Sequence, residues 1–393
     1  MNSDENNRPS APPCPRLGYV PELDGTRGLA ILLVMGNHLP FGQHRSLLPG
    51  GFVGVDLFFA LSGFLITTLL VQEFDRTGSI RLGRFYLRRA LRLGPALIAM
   101  LIAIGLSGFL IYDPGRAREI GFDALIALSY ISNWYRIFSP NQLGLFAHTW
   151  SLSVEEQFYL LWPLILVLLL RRSTRRRSII FMAAAATLLS WLVNVYLALH
   201  LAQWHRYIHL CFGLDSRGGA LMIGCILGII LSSGLLNESA RKILQKQLVI
   251  LAPLSLVLLV AYAIFSGSIG RAFFYFGFAV VSLLAGILIL DVQISPASRF
   301  KQLMRMKWLV WVGSVSYGLY LWHWPIFFGM SRFGCSGWTV LFIGGPLTFL
   351  FVLISYYRLE KPVLELKKRF TSDNATAAPS LPATTPSSAA ASA

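Results

Sequence analysis

DGTRGLAILLVMGNHLPFGQHRSLLPGGFVGVDLFFALSGFLI, residues 24–66, holds two apolar runs interrupted by Arg27, His38, Asp56 and Ser62. Hydrocarbon does not accept such residues without a reason. Arg27 and His38 are eleven residues apart, which on an α-helix is about 1100°, or three turns and roughly 20°, so both point along one face. The rise per residue separates them by about 16 Å along the axis. An ionisable residue inside a membrane span is a functional hypothesis by default.

The rest of the chain fits that setting. Of its 393 residues, 55% are hydrophobic and only 13% charged; its mean hydropathy is +0.61. Repeated apolar runs of about 20 residues mark an all-α integral membrane protein. The first 20 residues are polar and Pro-rich, so no cleavable signal peptide is expected and the first span is expected to be its own anchor. A net charge of +16 suggests nucleic acid in a soluble protein. Here it is read as loop arginines that orient spans, and no nucleic-acid partner is expected. Cys14, Cys211, Cys225 and Cys335 show no paired spacing, which argues against a metal site or a disulfide scaffold.

Ten spans are read at 27–41, 52–72, 91–112, 154–170, 178–200, 217–234, 247–266, 271–290, 309–329 and 338–357. Loops 73–90, 171–177, 235–246, 291–307 and 358–370 hold 22 Lys and Arg, against six in the loops between them. That alternation leaves no room for an eleventh crossing at 122–138, which is expected to be re-entrant or interfacial, and it puts both termini in the cytoplasm. Residues 1–20 and 371–393 have the composition of disordered segments flanking one membrane domain, 21–360. The stretch 78–92 is expected to enter the third span with Leu82, Phe85 and Tyr86 against membrane lipid and Arg84, Arg88, Arg89 and Arg92 toward water or phosphates.

This topology brings distant residues to one depth. His38, Asp56, Glu155 and Glu156, Asp215 with Arg217, and His323 all fall in the outer half, with Ser62 and Tyr317 nearer the middle and Arg27 near the cytosolic end. His148 and Trp150 lie just before the glutamates. Each has a structural alternative. Arg27 and Arg217 also fit snorkelling to headgroups, Asp56 a helix cap, the glutamates an acidic first turn, His323 an aromatic belt, and Ser62 helix packing. His38, able to accept a proton near neutral pH and aligned with an arginine, is the hardest to explain structurally.

Five stretches carry a resemblance: LDGTRGLAILLVMGNH, GGFVGVDLFFALSGFLIT, RFYLRRALRLGPA, TWSLSVEEQFYLLWP and SYGLYLWHWPIF. In order and spacing they resemble the acyltransferase-3 family of bacterial membrane O-acyltransferases, from residue 23 to about 357. DSRGGALMIGCILG resembles a further family segment. The family's Arg-x10-His pattern falls on Arg27 and His38, its cytoplasmic Arg-x-x-Arg on Arg89 and Arg92, and its acidic motif on Glu155 and Glu156. No SGNH-type esterase segment is recognised, so the membrane-only form is expected. The resemblance implies transfer of an acyl group, often acetyl from acetyl-CoA, to a hydroxyl of a glycan or glycosylated acceptor at the bacterial inner membrane, with no metal.

The implied mechanism has Arg27, Arg89 and Arg92 holding the phosphates of acyl-CoA and His38 acting as general base. Asp56 or Glu155 would orient the ring. Arg217, Tyr317 or His323 would donate to the oxyanion. Direct transfer is preferred to an acyl-serine because Ser62 has no adjacent base in the sequence. A transporter or flippase of a glycan or lipid-linked precursor also accommodates ten spans and buried charges, but the paired broken helices of inverted repeats are not apparent.

Overall fold

The computed structural model describes residues 18–41, 46–139, 141–172, 175–200, 203–266, 273–363 and 365. The expected disordered ends lie outside the described residues, apart from 18–20. Among the described residues the structure is helical, with one isolated bridge between Pro40 and Ser46.

α1 (Pro21–His38) starts with proline, whose missing N–H costs nothing in a first turn. α2 (Val53–Thr77) stops at Gly78, whose φ of 68° is a left-handed cap. α3 (Leu82–Ile111) runs for 30 residues. The short helices α4 (Pro114–Leu128) and α5 (Ser132–Phe138) and a 3-10 turn, Gly144–Thr149, lead into α6 (Trp150–Arg171). There follow α7 (Arg176–His200), α8 (Gln203–Phe212), α9 (Leu214–Ser232), α10 (Glu238–Phe265), α11 (Phe278–Ile294), α12 (Arg299–Met304), α13 (Lys307–Ser314), α14 (Ser316–Arg332) and a last helix, Gly337–Val363.

Among the described residues, eight helices are long and apolar enough to cross a membrane. The other two expected spans differ for local reasons. α1 has 18 residues, with Glu22, Asp24 and Arg27 in its first two turns. The ninth span is divided: α13 and α14 meet at Val315, whose ψ of 9° is not helical. The segment 122–138 falls on α4 and α5, of 15 and 7 residues, both too short to cross.

α1 lies at the centre. Its Ile31, Val34 and Met35 join one buried cluster, and Ala30 and Leu33 another. With no water to expel, membrane helices associate by close packing, which favours small residues at contacts. A Cβ on Gly224 of α9 would stand 2.1 Å from the Ala60 carbonyl oxygen of α2, and one on Gly313 of α13 only 1.7 Å from that of Asp24. The second contact fixes the register of the DGTRG stretch, and so the aim of Arg27. The outer faces of α3, α7 and α10 expose Phe109, Leu110, Phe181, Leu189, Val249 and Ile250, as lipid contact requires.

Two expected boundaries shift. α3 begins nine residues before the expected span at 91, so Arg89 lies inside the helix with Arg92 rather than in the preceding loop. Phe85 is buried in the core and the Tyr86 hydroxyl donates to the Leu160 carbonyl at 3.0 Å, so this face packs on α6 instead of lipid. α6 begins four residues early, at Trp150. That start sets Glu155 and Glu156 about 8 Å into the helix rather than at its mouth.

Candidate active site

A cavity of about 220 Å³ opens beside the Arg27 end of α1. Arg27 (α1), Arg89 and Arg92 (α3), Ser62 (α2), Glu155 (α6) and Tyr317 (α14) line it. The arginines differ in their freedom. Arg89 Nε donates to Glu156 Oε1 at 2.9 Å, and its guanidinium lies 3.0 Å from the centre of the Tyr159 ring. Arg27 and Arg92 form no ion pair among the described residues, and Arg92 keeps an open surface. Two guanidiniums in one cavity, neither in an ion pair, give it a positively charged wall. Their planar forks suit phosphate.

The carboxylates do not gather around His38. Asp56 pairs with Arg217 at 2.9 Å, both side chains at most 2% exposed, and Arg217 lies 4.0 Å over the Phe278 ring. This is a buried structural pair. Removing one partner would leave a bare charge. Glu155 accepts from the Ser62 hydroxyl at 2.7 Å, and Glu156 holds Arg89. None of the three therefore orients His38, contrary to the expectation from shared depth. The glutamates sit too far along α6, and Asp56 has a cation of its own. The serine without a neighbouring base in sequence does have a carboxylate beside it in space. Tyr317 donates to the Leu93 carbonyl at 2.9 Å. Tyr317 is thereby committed, while Arg217 has its charge paired with Asp56 but keeps an Nε with no partner among the described residues.

His38 is held by another imidazole. Its Nδ1 lies 2.9 Å from His323 Nε2, and His323 Nδ1 lies 2.8 Å from the Leu319 carbonyl oxygen. The carbonyl can only accept, so His323 Nδ1 carries a proton. A neutral His323 then accepts at Nε2, and His38 Nδ1 must donate to it. These proton positions follow from the hydrogen-bond pattern. His38 Nε2 keeps its lone pair, as a general base requires. Trp324 packs edge-on to the His38 ring, with centroids 4.6 Å apart, and is anchored by its own N–H to the Gly144 carbonyl at 3.0 Å. His323 is thus a positioning group rather than an oxyanion donor.

Two residues to which the sequence assigned no role, His148 and Tyr320, pack against the imidazole pair. His148, on the 3-10 turn, is 2% exposed, with its ring centre 5.9 Å from that of His323. Tyr320 lines the cavity and lies 5.6 Å from His323 and 5.7 Å from His148, centre to centre, so one ring stands between cavity and imidazoles. Its hydroxyl donates to the His148 carbonyl at 2.8 Å and is hydrogen-bonded to Ser151. The signal for His148 was its place in HTWSLSVEE. What helical spacing could not supply was the turn that folds it back over α14. Among the described residues no cluster of His, Cys, Asp and Glu is arranged to hold a metal, and Cys211, Cys225 and Cys335 are free thiols.

Comparison with known proteins shows the family. O-acetyltransferase OatA of Staphylococcus aureus, from strains NCTC 8325 / PS 47, COL and MRSA252, is 34% identical over 354 residues, covering 88% of this chain and 57% of OatA. The chain thus spans little more than half the length of these relatives. No solved structure matches it. A family model described as an acyltransferase domain matches residues 20–357, nearly all of the helical bundle. The chain belongs to the acyltransferase-3 family.

Proposed function

We propose that this protein is a multi-pass O-acyltransferase of the bacterial inner membrane. It moves an acyl group, acetyl above all, from cytosolic acyl-CoA to a hydroxyl of a glycan or glycosylated acceptor. Both termini are cytoplasmic in this reading. The observation that carries it is the chain from the Leu319 carbonyl through His323 to His38, which leaves His38 Nε2 ready to accept a proton.

The chain's own residues then act as follows. Arg27 and Arg92 bind the phosphates of the donor, with Arg89 braced behind them by Glu156. The cavity takes the pantetheine arm, and displacement of Tyr320 lets the thioester reach the imidazoles. His38 Nε2 removes the hydroxyl proton as the acceptor oxygen attacks the thioester carbon. The carbon–sulfur bond breaks, and the CoA thiolate takes that proton back from His38. The products are an ester and free CoA thiol. A positioned base of this kind typically contributes about 10²–10⁴ in rate.

Purified protein with radiolabelled acetyl-CoA tests the reading. Label should pass to glycan in a protein-dependent way and fall at least about 10²-fold in His38→Ala. Undiminished transfer by that variant would end the assignment of His38.

A further inference from the structure

Thioester attack places negative charge on the carbonyl oxygen, and that oxygen needs a donor already in place. The candidates offered by the sequence are otherwise engaged. Tyr317 is bonded to Leu93 and both His323 nitrogens are in the relay; Arg217 has an Nε unpartnered among the described residues, but its charge is paired with Asp56 and its guanidinium lies over the Phe278 ring. His148 is different. It is buried, and among the described residues neither of its ring nitrogens makes a well-formed hydrogen bond, the Leu321 backbone being a contact outside that geometry. Leaving a buried polar group unsatisfied is costly, so such a ring is best explained by a group that arrives later.

Its backbone is firmly fixed. Tyr320 donates to the His148 carbonyl at 2.8 Å, and Arg136 Nη1 donates to that of Ala147 at 2.8 Å, with its guanidinium 3.8 Å over the Phe212 ring. His148 is therefore preorganised at the far side of Tyr320 from the cavity, flanking the His323 ring that holds His38.

We infer that His148 is a catalytic residue of this site: its ring N–H donates to the thioester carbonyl oxygen as the acceptor attacks. The inference rests on the acyltransferase reading and adds a second imidazole with a separate task. His38 takes the proton of the attacking hydroxyl, while His148 keeps its own proton and holds the oxyanion. When the carbon–sulfur bond breaks, the carbonyl re-forms and His148 is left as it began.

The test compares wild type, His38→Ala, His148→Phe and His148→Gln, expressed in a host lacking this activity. Base-labile acetate on envelope carbohydrate reports transfer. Binding of a non-transferable thioether analogue of acetyl-CoA to the purified proteins reports folding and the donor site. His148→Phe keeps a ring but no donor, and should lose about 10²–10³ in transfer, the usual effect of removing one oxyanion donor, with analogue affinity within about twofold of wild type. His148→Gln restores an N–H and should recover at least about tenfold over the Phe variant. Transfer by His148→Phe within about threefold of wild type would overturn the inference, as would a Gln variant no better than Phe. Loss of analogue binding in both variants would also count against it, marking the ring as structural. Absence of acetate even with wild type would instead defeat the acyltransferase reading itself.

Discussion

The two ends of the site solve opposite problems. At the Arg27 end, a cavity exposes two guanidiniums without carboxylate partners. At the His38 end, rings pack around a relay in which His323 is fully buried and both its nitrogens are bonded. An open, positively charged chamber suits a large anionic carrier that must enter and leave. A sealed cluster with fixed tautomers suits a reaction in which water is a competing acceptor. Tyr320 stands between them, tied to Ser151 and to the His148 backbone. Under the proposed function, binding and chemistry are divided along one helix: α1 contributes Arg27 to one end and His38 to the other.

That division predicts different kinetic signatures. His323→Ala removes the group that orients His38 without touching the cavity. Transfer should fall about 10²-fold with little change in the KM for acetyl-CoA; loss of a charged orienter in serine proteases costs about 10⁴, and a carbonyl-terminated relay should cost less. Steady-state kinetics in detergent would show it, and a rise in KM alone would erase the distinction between the ends. Arg92→Gln should do the reverse. Losing one charge-assisted bond of about 1.5–3 kcal/mol should raise the KM for acetyl-CoA at least tenfold while kcat holds. A fall in kcat at unchanged KM would move Arg92 out of the donor site. The smallest effect is expected at Arg176, whose ion pair with Asp75 is partly exposed and lines neither the cavity nor the imidazole cluster. Arg176→Ala should lower stability by under about 1 kcal/mol and leave both constants alone. A larger loss would mean the pair braces α7 against α2.

Much of this was legible in the chain because helices translate spacing into direction. The x10 interval between Arg27 and His38 puts them on one helix, α1, and loop arginines argued against a crossing at 122–138, where α4 and α5 are too short to span. Depth was read less well. It depends on where each helix begins, and neither the start of α6 at Trp150 nor that of α3 at Leu82 coincides with the start of its apolar run. Those early starts carried Glu156 to Arg89 and Glu155 to Ser62, away from His38. The partner of His38 could not be read from local pattern either, since His323 lies 285 residues away and meets it only through packing of α14 against α1. His148 escaped for a similar reason: a 3-10 turn has no apolar period to announce it.

The central claim is that donor and acceptor approach from opposite ends of one path, with His38 at the junction. Sealed proteoliposomes of uniform orientation, with radiolabelled acetyl-CoA only on the side of Arg92 and glycan only on the other, test it most directly. The account predicts labelled ester in the glycan compartment with wild-type protein, and with His38→Ala only background label although donor binding is retained. Label appearing only when donor and glycan share a compartment, or persisting with His38→Ala, would contradict it.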